Sequence, residues 1–190
     1  MGHLSNEDRR TYARMREQHI LDDVDSCKLD ISNGIILVTC SDGDQILDTL
    51  EHAQRLFHEQ NIKPRIHVIA LNGGGLLISD KSPLVASKRE DLTILEHIAV
   101  AQKLKGINTV AIYTHAPCGA GTLAGLTLEQ EIELLLSAKV RIKETIPDTN
   151  VSCFCHIDRG NGKRTYHVSR NRWILMHMYP DNPEMWQCSR

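Results

Sequence analysis

An α/β fold with a mostly parallel sheet flanked by helices is predicted by three features of the sequence. The run Ile35–Cys40 is continuously apolar and rich in β-branched residues, the pattern of a strand buried on both faces of a parallel sheet. Further apolar runs follow at residues 65–71, 108–114 and 151–157, and segments of helical periodicity separate them. Strands that alternate with helices are joined by right-handed crossovers. A doubly wound sheet of this kind has its strands in the order 2-1-3-4, and an antiparallel strand is expected at the edge.

The elements follow in chain order. Residues 6–21 read as a helix whose apolar side chains Tyr12, Met15 and Ile20 could lie on a partner subunit or on the same domain. After the first strand, Ser41-Asp42-Gly43-Asp44 reads as a turn. Ile46, Leu47, Leu50, Ala53, Leu56 and Phe57 then mark an amphipathic crossover helix. The second strand ends at Asn72-Gly73-Gly74-Gly75, and a long, surface-exposed loop is expected through Pro83. Leu92, Leu95, Ile98, Ala99 and Leu104 mark the next helix, and the third strand runs into His115-Ala116-Pro117-Cys118-Gly119. Thr127 with Gln130 forms a capping box. Glu129 and Glu131 suit the positive end of that helix, Lys139, Arg141 and Lys143 suit the other end, and the helix should stop before Pro147. The fourth strand is followed by Asn161-Gly162, a turn into an antiparallel strand at 165–168. A single domain is expected, with a helical extension at 1–25, an α/β core at 31–170 and a tail at 171–190 that is irregular after Pro180.

The formal net charge of -2, from 22 basic and 24 acidic residues without long runs of either sign, offers no footprint for nucleic acid or an anionic membrane. Residues 1–23 lack the apolar segment of a secretory signal, no apolar run is long enough to span a bilayer, and Asn6 breaks the myristoylation pattern that Gly2 would begin. A soluble, cytoplasmic protein with a small-molecule ligand is expected. In that setting the six cysteines are expected to be reduced thiols or metal ligands.

Cys40 ends the first strand, and His115 and Cys118 follow the third. These strands are neighbours in the predicted order, and the gap beyond their carboxyl ends is a topological switch point where ligands bind. Two thiolates and an imidazole suit zinc and leave a fourth position for water or substrate. Taken singly, a cysteine at a strand end is an ordinary core residue. The rival cluster Cys153-Phe154-Cys155-His156 lies within a strand, with the cysteines on one side and His156 on the other, and reads as core packing. His19, His52, His58, His67, His97, His167 and His177 read as surface or packing residues.

Cys40-Ser41-Asp42, Asn72-Gly73-Gly74 and the segment Val110-Ala111-Ile112-Tyr113-Thr114-His115-Ala116-Pro117-Cys118-Gly119-Ala120 resemble the successive signatures of β-class carbonic anhydrases, over residues 31–168. The resemblance implies that family's fold and one zinc per chain held by Cys40, His115 and Cys118. It also implies hydration of carbon dioxide to bicarbonate, or of a related small electrophile, by zinc-activated hydroxide that Asp42 orients. A homodimer or higher homo-oligomer follows from the same likeness. The chain departs from the family at Asp44, which stands where the Cys-x-Asp-x-Arg motif has its Arg, and at Leu71, where an Arg is frequent. Negative charge there disfavours ionisation of a metal-bound water. It also leaves Asp42 without its holder, so that Asp42 could become a fourth zinc ligand in a closed, non-catalytic site. A cation from residues 79–89, such as Lys81, Lys88 or Arg89, is one expected substitute. A further reading makes Cys40 and Cys118 a redox pair without metal.

Overall fold

The computed structural model describes residues 4–85 and 89–179, and its centre is a six-stranded mixed sheet in the order β1-β6-β5-β4-β2-β3. Gly2, Lys88, Cys188 and the tail from Pro180 lie outside the described residues. Strands β2 (Ile35–Cys40), β3 (Ile66–Leu71), β4 (Thr109–Ala116) and β5 (Asn150–Asp158) are parallel, in the order expected from the alternating pattern. Strand β6 (Lys163–Val168) is antiparallel to β5, but it is not the edge. The two-residue strand β1 (Leu21–Asp22) pairs with its outer side, Leu21 opposite Val168, and so caps a row of backbone groups that would otherwise be open.

The continuous apolar runs are explained by burial on both faces, since every residue of β2 and β4 is buried. On one face Ile36, Val38, Val110, Ile112, Cys153 and Cys155 join a core with residues of helices α3 (Glu90–Lys105) and α5 (Leu128–Thr145). On the other, Ile35, Leu37, Ala111, Tyr113 and Phe154 meet Ala53, Leu56 and Phe57 of helix α2 (Ile46–Glu59). Leu47, Leu92 and Leu104, expected on the apolar stripes, are 66%, 48% and 72% exposed, because each lies beside the narrower stripe that meets the sheet. In α2 the positions Thr49 and His52 are buried instead.

Helix α1 (Asn6–Glu17) lies on its own chain: Met15 is fully buried, Asp8 Oδ1 accepts from the Leu128 amide at 2.8 Å, and Arg14 pairs with Glu129 at 2.6 Å. The Thr127–Gln130 capping box is present, and α5 ends at Thr145, with Ile146 as its C-cap, before Pro147. Two short helices, α4 (Gly119–Leu123) and α6 (Arg170–Met178), complete the fold. Among the described residues no helix is long and apolar enough to cross a membrane.

The segment after β3 differs from its expectation as an exposed loop. Gly74–Ile78 forms a short 3-10 helix, and all five residues are buried. Its glycines allow this. Gly73 and Gly74 have φ of 93° and 51°, a region that side chains disfavour, and a Cβ on Gly74 would lie 2.5 Å from the Thr39 carbonyl carbon and closer still to the Cys40 nitrogen. The loop therefore packs backbone to backbone across the end of β2.

His52 is 4% exposed, with Nδ1 3.0 Å from the Tyr113 hydroxyl. Burial, with help from Arg55 and His156, lowers its pKa from 6.5 to about 3. The unfolded chain takes up this proton near pH 6.5 and the folded chain resists it, so the stability is fully present above 6.5 and is lost as pH falls toward about 3. His52 is expected to account for about 2 kcal/mol of the stability lost between pH 7 and pH 5. Urea unfolding at both pH values checks this: His52→Gln should lose about 2 kcal/mol less than the wild type on acidification, and an unchanged loss would contradict it. Gly74→Ala is expected to destabilise by about 2–4 kcal/mol, from overpacking against backbone and an unfavourable φ. A urea midpoint equal to that of the wild type would contradict the close approach.

Candidate metal centre

The site is built where two adjacent parallel strands end. Cys40 is the last residue of β2. Its neighbour β4 carries His115, continues through a cis Ala116–Pro117 peptide and delivers Cys118 as the residue that precedes α4. The Cys40 and Cys118 sulfurs and a ring nitrogen of His115 all lie within 4.8 Å of one another, and all three residues are buried. Neither nitrogen of the His115 ring, itself 3% exposed, has a hydrogen-bond partner. A buried imidazole without partners carries an unmet desolvation cost. A metal ion shared with two sulfurs would satisfy one of the two nitrogens, and this soft donor set could hold one.

The surroundings favour a thiolate. The Gly73 amide donates to Cys40 Sγ at 3.3 Å. Hydrogen bonding from the Cys118 thiol, supported by His115 and Gly73 against the cost of burial, pulls Cys40 down to about 4. Cys118 is pushed up because it keeps the proton that the two sulfurs share, and burial adds to this. The glycine segment therefore serves the site directly, through an amide placed on a ligand sulfur by a turn that only glycine makes easily.

Asp42 is partly exposed. Its Oδ2 lies 4.0 Å from His115 Nε2, and its Oδ1 accepts from the Asp44 amide at 2.9 Å. The carboxylate is thus held by the backbone of its own turn. Among the described residues of 79–89 neither expected cation is shown at the turn: Arg89 pairs with Asp91 at 3.1 Å together with Arg141, and Lys81 lines a separate pocket beside Arg141 and Trp173. Arg89 and Arg141 are held by the buried Asp91 carboxylate, which they keep well below the usual carboxylate range. The lysine at the turn is Lys163, from the start of β6, whose Nζ donates to the Asp44 carbonyl at 2.8 Å and to Asp48 Oδ2 at 2.6 Å.

Two further residues stand near the centre without having been singled out for it. His156 is the register partner of His115 on β5, so both rings leave the same face of the sheet. Its Nδ1 lies 2.8 Å from Thr165 Oγ1, and its Nε2, 3.6 Å from Asp48, has no hydrogen bond. Cys153 and Cys155 are fully buried in the core on the opposite face. Glu131, in the first turn of α5 as expected, is 3% exposed, and burial raises its pKa well above the ordinary value. It lies next to Gly121, where a Cβ would collide with its Oε1, so the carboxyl sits just behind the turn that carries Cys118. A stripe through Leu128, Glu131, Ile132 and Leu135 signals that burial in the sequence. Cys27, Cys40, Cys118, Cys153 and Cys155 are free thiols among the described residues. A pocket of about 350 Å³ opens at Asp42, between Pro117, Gly119 and Thr122.

No protein-family model and no curated protein sequence matches the chain. Among solved structures it is similar to β-carbonic anhydrase isoform I of Trichomonas vaginalis, at 16% identity and a TM-score of 0.45, over 87% of this chain and 100% of that one. It is similar to the carbonic anhydrase of Streptococcus mutans at 15% identity and a TM-score of 0.47, over 86% of this chain and 96% of that one. The β-carbonic anhydrase CafD of Aspergillus fumigatus matches at 14% identity and a TM-score of 0.46, over 78% of this chain and 99% of that one.

Proposed function

We propose that the chain is a zinc-dependent lyase or hydrolase acting on a small electrophile, with carbon dioxide as the default substrate. The carrying observation is the buried His115 ring, unpartnered at both nitrogens and grouped with two sulfurs. Cys40, His115 and Cys118 would hold one zinc per chain. Zinc bound there supplies a Lewis acid that brings the pKa of a water toward neutrality.

The chain's own residues have separable roles in this reading. The Cys118 thiol and, with His115, the Gly73 amide favour the thiolate form of Cys40. The Asp44 amide occupies Asp42 Oδ1, which leaves Oδ2, on the His115 side, to accept a hydrogen bond from the reacting water and so to orient it. Lys163 fastens the turn through the Asp44 carbonyl and holds Asp48 at the start of α2. Free thiols agree with a reducing, cytoplasmic setting, and the near-neutral charge agrees with a small-molecule substrate and not nucleic acid or a membrane surface. A homodimer or higher homo-oligomer is proposed from the sequence resemblance.

A second reading is favoured by the short reach from Asp42 Oδ2 to His115: the carboxylate would be the fourth zinc ligand of a closed, non-catalytic site. Stopped-flow measurement of carbon dioxide hydration on zinc-quantified protein separates the two. Catalysis is expected to scale with zinc content, to vanish in Cys118→Ser, and to fall by about 100-fold in Asp42→Asn that keeps its zinc. Stoichiometric zinc with no rate above buffer from acid to alkaline pH would contradict the enzyme and favour the closed site.

A further inference from the structure

We infer that Lys163 is a positioning residue that keeps the Asp42 carboxylate beside the candidate metal but not bound to it; this rests on the zinc-enzyme reading above. Asp42 Oδ1 accepts from the Asp44 amide at 2.9 Å, and Oδ2 stands 4.0 Å from His115 Nε2. The main chain of Asp44 therefore decides where the carboxylate stays. The Asp44 side chain cannot help, since it carries a like charge. The Asp42 carbonyl accepts from the amides of Gln45 and Ile46 at 3.1 and 2.8 Å, which fixes the ends of the turn and leaves Gly43-Asp44 at its tip. That tip is lightly held by its surroundings. Ser41, Gly43 and Asp44 are exposed, a Cβ on Gly43 would meet nothing within 4 Å, and Gln45, the N-cap of α2, makes no side-chain capping bond.

Lys163 supplies the restraint from outside the turn. Its Nζ donates to the Asp44 carbonyl at 2.8 Å, so one residue is tied at both ends, its amide to Asp42 and its carbonyl to the lysine. The lysine is itself anchored. It is the first residue of β6, stands opposite Asp158 in the antiparallel pair, and donates to Asp48 Oδ2 at 2.6 Å. The hydrogen bond to Asp48, with the charges of Asp48, Asp158 and Asp44, raises its pKa, so the tie persists into alkaline solution. Without it, the tip and the carboxylate that the tip holds are free to move toward a bound cation. Asp42 then becomes the fourth ligand and closes the position that a water would take.

Cobalt-substituted protein tests this without relying on turnover. Sulfur-to-cobalt charge-transfer absorption reports the metal on the cysteines. A shift of the visible bands by imidazole, uncharged at about pH 8.5, reports a fourth position open to an added ligand. The wild type and Lys163→Arg, which keeps the charge and the donors, are expected to bind imidazole alike. Lys163→Met should keep the charge-transfer absorption and bind imidazole about tenfold more weakly, because a tethered carboxylate competes. As the zinc protein it should hydrate carbon dioxide about 100-fold more slowly. Asp42→Asn added to Lys163→Met should restore imidazole binding without restoring the rate. Lys163→Gln, too short for the carbonyl, should behave as Lys163→Met and covers the case in which methionine unfolds the hairpin. Imidazole binding to the Met or Gln variant as tight as to the wild type overturns the clamp, while carbon dioxide hydration by the wild-type zinc protein leaves the enzyme standing. A wild type that excludes imidazole is already closed, which overturns both. Absence of the charge-transfer absorption from the wild type overturns the metal centre and this inference with it.

Discussion

The His115 ring is buried between two thiols with neither nitrogen hydrogen-bonded, and much of the local architecture can be understood from that unmet demand. Hydrophobic burial explains why β2 and β4 lie side by side in the middle of the sheet. It does not explain why a ring with two polar atoms is sealed where they end, since an apolar residue would fill the space at lower cost. A shared cation would lower that cost at one ring nitrogen, because the imidazole would become a ligand and the thiols thiolates whose charge the ion balances. The Gly73 amide at the Cys40 sulfur and the depressed pKa of that thiol are the protein's part in the same arrangement.

The glycine turn links the fold to the site. Packing Gly74–Ile78 across the end of β2 buries a segment of the core and, in the same movement, lays an amide on Cys40. The opposite wall is set by different chemistry. Asp42, Asp44 and Asp158 face the pocket, while the nearby lysine is spent on the turn backbone and Asp48.

The sequence made local features legible and left most long-range ones hidden. The buried strand Ile35–Cys40 and the Thr127–Gln130 capping box are read directly because the relevant partners are close in the chain or repeat with a fixed period. The strand order follows from the alternation of elements, and with it the meeting of Cys40, His115 and Cys118. The glycine turn was misread as exposed because Gly-rich punctuation looks alike whether the turn lies in water or against backbone. Lys163 reaches the Asp44 carbonyl across 119 positions, a contact that no local pattern announces. His156 was placed on the right side of its strand, but its nearness to His115 depends on the β4–β5 register. The burial of Glu131 follows from its position on the apolar stripe of α5, which outweighs its charge.

The most direct test of the centre is zinc-edge X-ray absorption on protein purified without added metal. Ligation by Cys40, His115 and Cys118 predicts zinc with two sulfurs at about 2.3 Å and the remaining nitrogen or oxygen ligands at about 2.0–2.1 Å. A spectrum fitted only by nitrogen and oxygen, or protein that carries no zinc, would contradict it.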